Sequence, residues 1–221
     1  MKKKRRSRLG RIIDFITFPL RAITLFENDK LGLSSLASER FDYVSREVEG
    51  YCLDVGCGRF NRFIQEYCNG NGKGIDVYKY AGLSDEHIVK DITHFPFDDY
   101  TFNTVTFIAN FGHIPRHLRD IELKEAHRVL TPGGKIIITN PNCIASILVH
   151  KVVKFYDKIF KTKYDIDSER GMQENEDICV HNNEIIERLK KANFINIKTK
   201  YFWTQWFLNR LFIAEKKIVK I

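Results

Sequence analysis

The sequence predicts an α/β domain, a mostly parallel sheet with helices on both faces, preceded by a basic amphipathic leader. Three observations predict it. From about residue 34, short apolar runs of strand length alternate with stretches of helical periodicity, the signature of βαβ units. Glycine- and proline-rich clusters, Asn69-Gly-Asn-Gly72 and Thr131-Pro-Gly-Gly134, punctuate those runs. The 221 residues, 43% hydrophobic and 29% charged, suffice for one domain with a real core and fall short of two comfortable ones.

The elements follow in order. Ser34 to Val48 reads as a helix with Ser34 or Ser35 at its N-cap. Tyr51 to Val55 is a short apolar strand ending at Gly56-Cys-Gly58, and Arg59 to Tyr67 is a helix. Gly72 to Val77 makes a second strand, His87 to Lys90 a short third, and Thr101 to Ile108 a fourth. The helix from Leu118 to Leu130 stops at Thr131-Pro-Gly-Gly134, because proline cannot continue it and glycine supplies the left-handed turn. Lys135 to Thr139 is the fifth strand. Residues 141–180 break the pattern with a helix over Cys143 to Phe160 and a polar run from Lys161 to Asp177, an insertion at the substrate side in the position of a lid. Asn182 to Ala192 is helical again. Phe194 to Tyr201 and Gln205 to Ala214 complete seven strands, joined by Phe202-Trp203-Thr204.

Charge separates the leader, residues 1–33, from the domain, residues 34–221. The net charge is +8, but residues 1–30 hold 9 Lys/Arg against 3 Asp/Glu, so the remainder is nearly neutral. Leu9 to Phe26 is too interrupted by Arg11, Asp14 and Arg21 to span a bilayer, and no cleavage site of a secretory signal follows. Ile12, Phe15, Ile16, Pro19, Ile23 and Phe26 recur at helical spacing, with Pro19 set to kink or break the run. Two uses fit: residues 1–26 anchor on an anionic membrane surface, or the helix covers apolar surface of its own domain. Nucleic acid is the weaker partner, since basic residues stand there without a binding motif. Five scattered cysteines without a C-x-x-C pair argue against a disulfide framework or zinc site and for reduced thiols in a cytoplasm.

In open α/β sheets ligands bind beyond the carboxyl ends of the strands. Gly56 and Gly58 sit in the first strand–helix turn, where backbone N–H groups and a helix N-terminus suit an anionic group. Asp76 ends strand two, 22 residues after Asp54, where a carboxylate can accept from both hydroxyls of a ribose, and Asp91 closes strand three. Together these loops point to a bound nucleoside. Asn61 stands where a dinucleotide fingerprint needs its last glycine, which argues against a nicotinamide or flavin enzyme.

Four runs carry a resemblance. Leu53-Asp-Val-Gly-Cys-Gly58, Gly74-Ile-Asp-Val77, the run from Asp91 to Asn103 and Arg128-Val-Leu-Thr-Pro-Gly-Gly-Lys-Ile-Ile-Ile-Thr139 resemble, in order, the motifs of class I S-adenosylmethionine-dependent methyltransferases of the type 11 group. The resemblance implies a Rossmann-like fold and S-adenosyl-L-methionine as cofactor. It implies that Gly56 and Gly58 line the amino-acid end of the cofactor and that Asp54 orders their loop. Asp76 would hold the ribose with Val77 against the adenine, Asp91 and Ile92 would address the adenine edge, and Asn110 would lie near the methionine portion. Two positions depart from the pattern: Phe60 replaces the third glycine of the first motif, and Asn103 replaces an aspartate whose role is structural.

Methyl transfer from a sulfonium is an in-line displacement, served by positioning and, for a hydroxyl or acidic carbon, by a general base. His113, just after strand four, is the candidate base, with a substrate-positioning or structural role as its alternative. His94 reads as packing near the adenine side, His117 and His127 as ordinary helix residues, and Phe202, Trp203, Trp206 and Phe207 as core. No motif of a metal site is present. The expected function is O- or C-methylation of a small-molecule or lipid-linked acceptor, in the cytoplasm or peripherally on the inner leaflet. A non-catalytic cofactor-binding scaffold and an RNA methyltransferase are the alternatives.

Overall fold

β1 (Cys52–Val55) is buried along its whole length, which only a central strand covered on both faces achieves. In the computed structural model, which describes residues 6–23, 28–161, 177 and 179–218, it lies between β2 (Gly72–Ile75) and β3 (Phe102–Ile108), parallel to both. β4 (Leu130–Pro141) extends the parallel set, and β6 (Asn209–Lys216) then inserts antiparallel between β4 and β5 (Phe194–Tyr201). The order is β2-β1-β3-β4-β6-β5.

Alternation along the strands divides the core in two. Leu53, Val55, Val105, Phe107, Ile136 and Ile138 face α3 (Arg119–Val129) and α5 (Asn182–Lys191) through Leu123, Ala126, Ile185 and Leu189. Cys52, Ile137, Leu211 and Ile213 face the other way, onto Tyr43 and Val44 of α2 (Leu36–Ser45) and onto Phe63, Tyr67 and Phe202. Ser35 caps α2, its hydroxyl accepting the Ser38 N–H at 3.1 Å. α4 (Cys143–Phe160) follows β4 and is capped by Asn142. The rest of the expected lid, 162–176, lies outside the described residues.

Four expectations need correcting. Among the described residues the sheet has six strands, because 87–90 contributes only the bridge Asp76–Ile88 after a 3₁₀ turn at Asp85–His87. Ile88 and Val89 are only half-buried at this sheet edge, so the run gains little from extending. The expected helix 59–67 is a 3₁₀ turn, Arg59–Asn61, followed by a π turn, Phe63–Tyr67, since Phe60 and Asn61 take φ of 61° and 46°. The last strand starts at Asn209, because Trp203–Gln205 forms a 3₁₀ turn and Trp206 and Phe207 are left-handed. Cys143 and Cys179 are disulfide-bonded, Cα to Cα 4.9 Å, joining the start of α4 to the residues before α5. A pairing across 36 residues leaves no local spacing signal.

The leader forms α1 (Arg8–Ile23), which runs through Pro19 without breaking. Proline cannot donate to the Phe15 carbonyl, and the Trp206 indole N–H takes that acceptor at 3.0 Å. α1 packs on the domain through a mixed face, on which Asp14, Arg21 and Phe18 are all buried. Asp14 receives Arg6 Nε and Nη2 at 2.9 and 2.8 Å, and Arg21 Nη1 donates to Glu39 of α2 at 2.9 Å. Phe26 lies outside the described residues.

Candidate active site

A cavity of about 920 Å³ opens beyond the carboxyl ends of β1, β2 and β3. Its lining includes Asp54, Gly56, Gly58, Asp76, Val77, Ile92, Asn110 and His113, brought together from four loops; α2 adds Ala37, Arg40 and Phe41.

Parallel register places Asp54 opposite Thr106, whose hydroxyl donates to it at 2.6 Å. Burial pushes the Asp54 carboxyl up to about 7, against that hydrogen bond and with the charge of Asp76 adding to the rise. Asp76 takes the Gly58 N–H on Oδ2 and the Tyr78 N–H on Oδ1, both at 3.0 Å. A carboxylate fixed in this way at the end of β2 suits the neighbouring hydroxyls of a ribose. Two buried carboxylates at one cavity make a site for a ligand with positive charge.

The glycine turn works differently from the expectation. The Gly56 and Cys57 N–H groups both donate to the Ile75 carbonyl, at 2.8 and 3.1 Å, and that of Gly58 to Asp76. These amides fasten β1 to β2. The need for glycine at 56 comes from Asn110: φ is +73°, and a Cβ there would stand 2.0 Å from Asn110 Nδ2. That amide donates to the Val55 carbonyl at 2.7 Å, and the buried Asn110 Oδ1 has no partner among the described residues. An orphaned acceptor beside two carboxylates fits an ammonium such as that of a methionine moiety.

Asp91 falls outside the cavity lining. Its carboxylate turns back on the Thr93 N–H (2.9 Å) and hydroxyl (2.5 Å), which hold it below the usual carboxylate range. Its neighbours Lys90 and Ile92 face the cavity instead. Phe60 does not fill the pocket: its ring lies over Gly82 at the rim, 59% exposed. Asn103 is structural, its Oδ1 accepting the Tyr51 N–H at 2.9 Å. His94 pairs with Glu125, and His127 packs edge-on to Phe194. Phe202 is core, stacked on Tyr43, whereas Trp206 and Phe207 are about half exposed.

Two functional residues escaped the sequence reading. Arg119 is fully buried and braces the loop that carries His113, donating to the carbonyls of Gly112 and Ile114. Glu122 lines the cavity, is buried, and has no hydrogen-bond or charge partner among the described residues. Burial pushes its carboxyl up to about 8. The signal was there: Glu122 shares a helical stripe with Leu118, Ala126 and Val129, an acid on an apolar face.

Glu122 has a measurable cost. Below about pH 4.5 its carboxyl is protonated whether the chain is folded or not. As pH rises from there to about 8, only the unfolded chain gives up the proton freely, so the folded state loses stability across that window. We expect Glu122→Gln to be about 1–3 kcal/mol more stable than the parent at pH 8 and nearly equal to it at pH 4.5. Urea titrations at the two pH values check this; a difference that does not change with pH excludes it.

The sheet order, the acidic ends of β1 and β2 and the cavity between them define a class I, Rossmann-like methyltransferase fold, the class whose cofactor is S-adenosylmethionine. Residues 53–138 match the family described as "Methyltransferase domain". Sterol 4-C-methyltransferase of Caenorhabditis elegans is 29% identical over 130 residues, 51% of this chain and 38% of that protein. Demethylmenaquinone methyltransferase of Alkalihalophilus pseudofirmus is 27% identical over 174 residues, 68% of this chain and 72% of that protein. A solved methyltransferase structure from Methanosarcina mazei shares the fold with a TM-score of 0.54 at 19% identity, covering 80% of this chain and 98% of that one.

Proposed function

We propose that the protein transfers the methyl group of S-adenosylmethionine to carbon or oxygen of a small, lipid-like acceptor. The observation that carries this reading is the pairing of Asp54 and Asp76 with the orphaned Asn110 Oδ1 around one cavity. Bound there, S-adenosylmethionine supplies an electrophilic methyl on a sulfonium. Asp76 holds the ribose hydroxyls, Val77 and Ile92 flank the adenine, and Asn110 Oδ1 accepts from the ammonium. Asp91, turned onto Thr93, is left out of this assignment.

Phe41, Phe60 and Ile108 make much of the remaining lining apolar, and Arg40 adds a cation whose buried Nε has no partner among the described residues. This combination suits a lipid-like molecule with one acidic oxygen, such as a phenol or quinol ring. The two relatives are named for a sterol and for demethylmenaquinone, both lipid-like molecules. His113, half-buried in the cavity wall, takes the acceptor proton as the acceptor atom bonds the methyl and the old bonding pair stays on sulfur.

Titration calorimetry tests the cofactor half. Asp76→Ala is expected to weaken S-adenosylhomocysteine binding by about 1–3 kcal/mol, roughly 5- to 150-fold, the scale of a buried polar group left unpaired. Unchanged affinity would put the ribose elsewhere. Release of S-adenosylhomocysteine in the presence of lipid extracts tests the transfer half, and its absence across quinol and sterol fractions counts against a lipid-like acceptor.

A further inference from the structure

α1 buries charges beside Phe18 and turns an apolar strip outward. Asp14 and Arg21, its central acid and last base, are wholly buried, whereas Leu9 and Ile16 are 67% and 69% exposed. Leu9, Ile12, Ile13 and Ile16 form one continuous outward strip at helical spacing, without a charged residue on it. A helix that covers its own core does the opposite.

The orientation is held in place. Turning the strip inward would break the buried Arg21–Glu39 pair and the fork of Arg6 onto Asp14, leaving charges unpaired inside the protein. Beside the strip, Trp206 packs on Phe15 and Phe18 and is anchored to the Phe15 carbonyl; Phe207 follows, also about half exposed. Both residues take left-handed backbone angles, φ of 51° and 61°, so strain is spent to hold two large aromatic side chains outward.

We propose that this face, α1 with Trp206 and Phe207, docks in the plane of an anionic lipid bilayer. The strip would sit at the boundary of headgroups and acyl chains. The sequence leading into the strip is basic from Lys2 to Arg8, the charge complement of an anionic surface. Charge selects this occupant over a second copy of the chain, which would bring an equally basic leader to the same face. No helix among the described residues is long and apolar enough to cross a membrane, so the contact lies on the surface. The docking stands independently of the proposed reaction, but its use rests on it. α2 holds Arg21 through Glu39 and lines the cavity with Ala37, Arg40 and Phe41, so the membrane face and the cavity wall share one helix.

Co-sedimentation of the full chain with phosphatidylcholine vesicles, with and without about one third phosphatidylglycerol, tests the proposal. Binding is expected on the anionic vesicles, at least about 10-fold weaker on neutral ones and falling with salt. The triple variant Leu9→Ser, Ile13→Ser, Ile16→Ser is expected to lose about 10-fold or more, with its circular dichroism unchanged. The parent needs no variant for a second reading. Trp206 is one of only two tryptophans, so vesicles should shift its emission to the blue and shield it from acrylamide. Equal sedimentation of parent and triple variant, or no change in tryptophan quenching, overturns the proposal. So does a parent dimer that the triple variant turns into monomer, since the strip would then be covered by a second copy. Calorimetry with S-adenosylhomocysteine on the same variants is expected to be unaffected, so failure of the docking and failure of the methyltransferase reading remain distinguishable.

Discussion

Arg119→Met is expected to lower the free energy of unfolding by about 3–5 kcal/mol, the range for breaking a buried ion pair from one side. The guanidinium is fully buried and serves four acceptors on three segments. Nε donates to the Ile114 carbonyl at 3.0 Å and Nη2 to that of Gly112 at 3.2 Å, so the loop after β3 is clamped at two points. Nη1 donates to Asp177 at 2.8 Å and to Glu184 of α5 at 3.1 Å. Methionine fills the volume and returns none of these bonds. The lower end of the range is the better expectation, because Glu184 keeps Arg188 at 2.9 Å and the half-exposed Asp177 can recover water. Arg119→Lys should restore less than half of the loss, since one ammonium cannot reproduce a planar fork aimed at four acceptors. Urea denaturation measures both variants; a loss under about 1 kcal/mol for the methionine variant would show that the loop is held by other contacts.

His113→Ala is expected to lower kcat by about 10²–10⁴-fold with a quinol-class or sterol-class acceptor, while S-adenosylhomocysteine affinity stays within about twofold. A base contributes only as the acceptor proton leaves, so its removal acts on the transition state and spares ground-state cofactor binding. His113→Gln separates this from a positioning role, because glutamine keeps a hydrogen bond and cannot take up a proton. A rate recovered by glutamine would make His113 a positioning residue. The two predictions also meet in one loop: Arg119 clamps Gly112 and Ile114 on either side of His113, so Arg119→Met is expected to slow turnover as well as to destabilise.

Much of the site was legible because its chemistry is local. The turns at 53–58, 74–77 and 131–134 are specified by residues next to one another in the chain, and the structure puts the first two at the cavity. The alternation of strand-length and helical stretches likewise predicts a sheet covered on both faces, and the apolar clusters on either side of it agree. The run 87–90 was read as a strand since four apolar or mixed residues look alike at a sheet edge and in a sheet centre. Asp91 was read into the site because a carboxylate two residues before a threonine carries no sign of which way it will turn.

By itself, the sequence determined the α/β class, the methyltransferase motifs, the acidic strand ends and the two-sided character of the leader. These depend on spacing, and spacing is a property of the chain. Tertiary structure alone decided which side of α1 faces inward, where Arg119 ends, and that Cys143 meets Cys179. The two arginines are settled by partners many residues away: Glu39 for Arg21, Asp177 and Glu184 for Arg119. Periodicity states that a helix has two faces. The buried acid waiting for Arg21 decided that the charged one would be covered.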